Sequence, residues 1–234
     1  MSICRSGLII LLGLIFLTQK SAKAQNGQEQ RAYYFNSQKL SEQLFAETAL
    51  GMHNRTTADW SRLELRGTLH YRINHQLRIS SGWRSNFIFS TGRYQHSELR
   101  PFQAIMVHAP FSEQGIFDHR LMLEERFFIG DNLEDHFNLR LRHRLETKIP
   151  INNKHLIDNT FYLRPMWETY ATVADRDNGL YISNLKATAG CGYKINAGIS
   201  VEFRWEHVKS FNYNKEINRS INNIWRIQII HRLW

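Results

Sequence analysis

Ser61-Arg62-Leu63-Glu64-Leu65-Arg66-Gly67-Thr68-Leu69-His70-Tyr71-Arg72-Ile73 decides the fold class. Side chains along a strand alternate between two faces. Ser61, Leu63, Leu65, Gly67, Leu69, Tyr71 and Ile73 therefore point one way, and Arg62, Glu64, Arg66, Thr68, His70 and Arg72 the other. The same division recurs over 136–146, where Phe137, Leu139, Leu141 and Leu145 oppose Asn138, Arg140, Arg142, Arg144 and Glu146. Over 199–206, Ile199, Val201, Phe203 and Trp205 oppose Ser200, Glu202, Arg204 and Glu206.

Outward from these segments the pattern predicts eleven strands, over 31–38, 43–53, 59–73, 76–91, 94–109, 116–129, 134–149, 158–174, 179–195, 198–211 and 221–234. Many exceed the roughly 5–6 residues of an ordinary globular strand, and the turn signals are too widely spaced for a sandwich. A tilted transmembrane strand needs only about 9–11 residues in hydrocarbon, so the surplus projects beyond it. An Arg or Lys facing lipid at mid-membrane costs roughly 2–4 kcal/mol, which makes the arginine face the lumen and the apolar face the lipid contact. The expected fold is all-β, an antiparallel transmembrane (outer-membrane) β-barrel of about 10–12 strands. Trp83, Phe87, Phe89, Trp167, Tyr193, Trp205 and Trp225 are expected towards strand ends, in the apolar band and its aromatic girdles. A mean hydropathy of −0.45 agrees with strands that are polar on one side.

Tyr71-Arg72-Ile73-Asn74 and Tyr193-Lys194-Ile195-Asn196 each end a strand and lead at once into the next, as short hairpins do. They are assigned to the periplasmic side. The polar connections at 55–59, 90–92, 174–179 and 212–222 suit the external side. Counting back from a periplasmic C-terminus, an eleven-strand antiparallel wall starts the first strand outside, so its parity does not close. The solutions considered are a split or merged strand, giving the preferred ten or twelve, or a segment 25–38 that threads the lumen.

Residues 1–24 are of another kind. Arg5 precedes an apolar run from Leu8 to Leu17, and Ala22-Lys23-Ala24 supplies small residues for cleavage. The run is about half of the roughly 20 residues a spanning helix needs. A cleaved signal peptide is expected, leaving 25–234 as a single barrel domain of a Gram-negative envelope. Cleavage removes Arg5, Lys20 and Lys23, lowering the formal charge from +9 to +6. It also removes Cys4, so Cys191 remains alone, without a disulfide framework or a multi-thiolate metal site.

The most distinctive feature is the lumen set of ion-pair candidates: Arg62, Glu64, Arg66 and Arg72; Glu98 and Arg100; Arg120, Glu124 and Arg126; Arg140, Arg142, Arg144 and Glu146; Glu202, Arg204 and Glu206. Arg84, Arg164, Glu168 and Arg226 extend it. Guanidinium groups bind carboxylates in bidentate fashion, so neighbouring strands can knit across a narrow barrel and fill it. A barrel of about eight strands has an interior just wide enough for side chains or one small ligand. The leading reading is a structural ion-pair core; the alternative is an anion-preferring passage or a site for an acidic molecule.

Eleven histidines show no metal-binding spacing; His143, His207 and His231 fall on the apolar face. No metal or cofactor is expected. Small outer-membrane enzymes that hydrolyse or transfer acyl chains use Ser and His with a supporting carboxylate. No His-x-Ser pair lies on one strand face here. His70 with Ser80, or His96 with Ser97, are the pairings to consider, and residues 96 and 97 face opposite sides. The basic residues are interleaved with acids inside the wall, which argues against nucleic acid as a partner.

The Lys39-Leu40-Ser41 turn, the two Tyr-x-Ile-Asn turns, the Glu98-Leu99-Arg100-Pro101 step and the arginine-rich Leu139–Leu145 strand, in this order and spacing, resemble domain of unknown function 2490 (DUF2490). This is a family of outer-membrane proteins of Bacteroidota-type bacteria. The resemblance spans nearly all of the chain beyond residue 24 and implies an outer-membrane barrel without implying an activity. Trp234 is similar to the terminal aromatic assembly signal of many such barrels. Its phase departs from that pattern: steps of two back from it meet Arg232, Gln228 and Arg226, whereas Leu233, Ile229, Ile227 and Trp225 form the apolar set. The expected partners are outer-membrane lipids, the barrel assembly machinery and periplasmic chaperones. The first functional expectation is a non-enzymatic barrel; the second is a lipid-modifying enzyme.

Overall fold

The computed structural model describes residues 28–55, 58–110, 116–130, 137–173, 180–211 and 220–233. Residues 1–24, where the leader is expected, and Trp234, the expected assembly signal, lie outside them. Every regular element is a strand: β1 (Gln28–Lys39), β2 (Leu44–Arg55), β3 (Trp60–Arg72), β4 (Leu77–Ser90), β5 (Arg93–Pro110), β6 (Ile116–Ile129), β7 (Phe137–Thr147), β8 (Ile149–Pro150), β9 (Thr160–Leu163), β10 (Met166–Val173), β11 (Leu180–Lys194), β12 (Ile199–Ser210) and β13 (Ser220–Leu233).

Thirteen segments make eleven wall strands. Only Lys148 separates β7 from β8, and only Arg164-Pro165 separates β9 from β10, both of which pair with β11. A proline has no N–H to give to a ladder, and the chain is carried past it by Arg164 N to Gly190 O at 2.8 Å and Thr147 N to Pro165 O at 3.2 Å. The wall runs β1 to β7 in chain order, then β10, β11, β12 and β13, and closes where β13 meets β1.

That last seam resolves the parity. β1 and β13 pair in parallel, in register from Gln28 opposite Asn223 to Gln38 opposite Leu233, whereas every other seam is antiparallel. The preference for ten or twelve strands assumed antiparallel closure, which forces an even number. One parallel seam lifts that constraint. Gln28–Lys39 joins the wall instead of threading the lumen, and β1 starts at the end of the barrel opposite to the one where β13 finishes.

The sequence-assigned turns share one end, called here the turn end, and one geometry. Asn74 Oδ1 accepts from Gln76 N and Leu77 N at 2.9 and 2.8 Å, and Asn196 Oδ1 accepts from Gly198 N and Ile199 N at the same distances. Ser41 Oγ takes the same part towards Leu44 N at 3.1 Å. A short side chain that caps its own turn fixes where each hairpin folds back. At the far end, Thr91 and Gly92 adopt φ of 49° and 73°, the left-handed pair of a two-residue hairpin.

Four cross-strand pairs set an aromatic ring over a glycine: Tyr33 over Gly51, Trp83 over Gly67, Phe102 over Gly82 and Tyr162 over Gly192. A Cβ at Gly67 would stand 2.3 Å from the Trp83 ring, so the glycine is what lets the indole lie flat on the wall. Trp83 thus sits midway along β4, a packing residue on the outer face and not a member of an end girdle. Trp205 and Trp225 pair directly across β12 and β13.

The usual order of a globular core is inverted. Glu206 is wholly buried inside the barrel, whereas Leu65 is 42 % exposed on its outer wall, and Leu69, Leu121 and Phe203 are exposed elsewhere on that wall. Apolar side chains also enter the interior, as the Tyr33, Phe35, Ala49 and Ile230 cluster and the Phe102, Ala104 and Met122 cluster.

Candidate functional site: the guanidinium-lined lumen

All sixteen ion-pair candidates face the interior, and all but Arg72 meet around a few carboxylates. Glu124 on β6 accepts from Arg140 Nε at 2.8 Å and from Arg142, with Arg84 4.0 Å away. Glu168 accepts from Arg142 at 2.7 Å, Arg120 at 2.9 Å, Lys186 at 3.0 Å and the Tyr170 hydroxyl at 2.6 Å. Both oxygens of Glu202 face Arg164 at 2.8 Å, and Arg204, Gln228 and the Tyr162 hydroxyl complete its shell. Glu146 lies 2.9 Å from both Arg144 and Arg164. Glu206 lies 3.3 Å from Arg226, and Glu98 binds Arg126 at 2.6 Å as well as Arg100. Glu64 takes Arg84 at 3.2 Å and the Tyr33 hydroxyl at 3.0 Å. Arg66 binds Glu47, and Arg62 approaches Glu29 to 4.0 Å. Buried carboxylates need this saturation, because an unpaired one costs several kcal/mol of lost hydration.

The cations are not saturated in return. Arg66, Arg84 and Arg100 stand in one row across β3, β4 and β5, and Arg72 faces Arg78, Arg120 faces Arg144, and Arg204 faces Arg226. Like charges directly opposite in a sheet are destabilising, on the order of 0.2–1 kcal/mol per pair. Nε of Arg66, Arg78, Arg100, Arg120 and Arg144 is buried without a protein acceptor.

Between these side chains lies a cavity of about 680 Å³ whose lining runs from Arg55, Trp60 and Ser210 at the far end to Arg72, His108 and Arg232 at the turn end. Eighteen Arg or Lys side chains line it against six Asp or Glu. Glu124, Glu202 and Glu206 are absent from that lining; they stand behind the guanidinium groups that bind them. The chemistry offered is a positively charged, donor-rich cavity surface.

Sequence reasoning missed Glu29 and Arg31 on β1, Glu47 on β2, Lys148 and Lys186. His53 is buried between Glu29 and Glu64, at 3.1 and 3.5 Å. The Glu29-x-Arg31-x-Tyr33-x-Phe35 alternation was the available signal for the first of these. His143 and His231 lie on the outer face with His207, where His231 bonds the Tyr34 hydroxyl at 2.9 Å. Of the two Ser/His pairings, His70 and Ser80 do meet, opposite one another on β3 and β4 with Nδ1 2.7 Å from Oγ. Among the described residues no three His, Cys, Asp or Glu side chains gather as a metal site needs.

A family model described as "Protein of unknown function (DUF2490)" matches residues 11–220. The chain belongs to the DUF2490 family. No curated protein and no solved structure matches it. For this DUF2490 member the family supplies no activity, so the lumen itself must carry the functional argument.

Proposed function

We propose that this DUF2490 protein is an outer-membrane barrel of a Gram-negative envelope, exported by a cleaved leader 1–24, whose interior is a narrow, anion-preferring passage. Its ion-pair core holds the wall in shape, and its excess guanidinium groups set the charge of the remaining space. The observation that carries this reading is the cavity lining, eighteen cations against six acids from one end to the other. A low-dielectric channel lined by one sign of charge concentrates counter-ions of the other. Support for the membrane comes from the outer wall of exposed Leu, Ile, Phe and Trp, which fits lipid and fits water poorly. Outer-membrane lipids, the assembly machinery and periplasmic chaperones are its proposed partners, and the turn end is its periplasmic side.

The test is conductance of the refolded barrel in planar bilayers under a potassium chloride gradient. Discrete steps with a reversal potential displaced towards the chloride equilibrium support the passage. Absence of steps above background, or cation preference, refutes it.

A further inference from the structure

Arg72 and Arg78 face each other across β3 and β4 at the turn end of the lumen. Neither meets a described carboxylate. Arg72 lies 4.7 Å over the Phe45 ring, and Arg78 directs Nη2 at the Met106 sulfur, 2.7 Å away. A thioether is a weak acceptor, so that donor is poorly used, and Arg78 Nε has no acceptor at all. The next pair inward is His70 with Ser80. If Ser80 donates to Nδ1, the ring keeps an Nε2–H; if Nδ1–H donates, Ser80 keeps its hydroxyl proton. Either way one donor stays free, and all four side chains line the cavity.

Asp118 and Glu47 act on Arg78 ahead of Arg144 and Arg72, and Glu42 acts with Arg72. All three acids are engaged, Asp118 with His108, Glu47 with Arg66 and Glu42 with Lys39. The block is therefore short of negative charge and rich in convergent donors. Two guanidinium forks with a hydroxyl–imidazole pair offer more donors than the two oxygens of one carboxylate can accept. A tetrahedral dianion has the oxygens and the charge to take them.

We propose that Arg72, Arg78, His70 and Ser80 form a binding site for a phosphate-type dianion at the turn end of the lumen. The site rests on the lumen being open to anions. Arg72 is exposed at the mouth, so the phosphate can be free or carried on a larger molecule such as a lipid headgroup. A Ser–His pair is also what a hydrolase would use. No described carboxylate hydrogen-bonds His70 to orient it as a base, and Glu47, the acid that acts on it, is held by Arg66. The pair therefore lacks the supporting carboxylate of a hydrolase and serves as a donor to an anion.

The test is titration calorimetry of the refolded barrel in detergent with inorganic phosphate against chloride at equal ionic strength. Saturable binding to the unaltered barrel is expected, about ten-fold or more weaker in Arg72→Gln/Arg78→Gln and unchanged in Arg55→Gln at the far mouth. Arg78→Lys keeps the charge and loses the fork, and falls between them if the double variant does not fold. In phosphatidylcholine vesicles, a rise in unfolding midpoint on adding phosphatidic acid, lost in the same variants, assigns the headgroup as the source. Binding of free phosphate alone assigns a solute. No saturable binding in either arm, or equal affinity across unaltered, double-variant and Arg55→Gln barrels, overturns the site. Anion-selective steps without phosphate binding sink the site and leave the passage; phosphate binding without anion selectivity does the reverse.

Discussion

Arg142 on β7 donates to Glu168 on β10 at 2.7 Å while its other amino group holds Glu124 on β6, so one guanidinium ties three wall strands together. Removing it strands two buried carboxylates whose remaining partners, Arg140 and Lys186 among them, must serve alone. Arg142→Leu is expected to cost about 3 kcal/mol. Arg55→Leu, at the far rim with Glu29 4.0 Å away, should cost well under 1 kcal/mol. Urea unfolding midpoints in detergent check this, and equal midpoints contradict the assignment of Arg142 to the ion-pair core.

The close contact of Gly192 with Tyr162 makes a second prediction. A Cβ at Gly192 would stand 2.4 Å from the ring that donates to Glu202 at 2.7 Å. Gly192→Ala should destabilise by about 1–3 kcal/mol. In a Tyr162→Ala background the same change should cost little, because the obstructed ring is gone. A double-mutant cycle by urea unfolding measures the difference, and strict additivity would show that the two residues do not touch.

In the proposed outer-membrane setting, the parallel seam predicts which positions share a face of the membrane. With Cys191 replaced by Ser, an impermeant maleimide applied to intact cells should label Gln28→Cys and Thr91→Cys alike. His75→Cys and Ala197→Cys, in the short turns, should be protected until the cells are opened. Gln28→Cys behaving like His75→Cys would mean that β1 runs the other way.

The alternation along 59–73, 134–149 and 198–211 was enough to read the faces of β3, β7 and β12, because burial of a charged face against an apolar one is written residue by residue. Eleven strands were countable for the same reason. The β1–β13 seam was not legible: parallel and antiparallel pairing expose the same faces, and backbone hydrogen bonds leave no mark on side-chain identity. Nor could the sequence assign partners within the lumen. Arg66 and Arg84 oppose each other in the ladder, yet find their acids in Glu47 and Glu64 on a diagonal, a matter of register and shear. Glu47 escaped notice because its face of β2 is mixed, with Phe45, Ala49 and Gly51 beside it.

The proposal that lipid and not water surrounds the barrel is tested on its outer wall. Leu65 lies near the middle of β3, 42 % exposed between Leu50 and Ser85 on the adjoining strands. The measurement is the unfolding free energy of Leu65→Arg against the unaltered barrel in phosphatidylcholine vesicles. A loss of about 2–4 kcal/mol is predicted, the cost of a guanidinium at the bilayer midplane. No change, or a gain in stability such as a water-exposed Leu→Arg would give, would contradict a membrane-spanning wall.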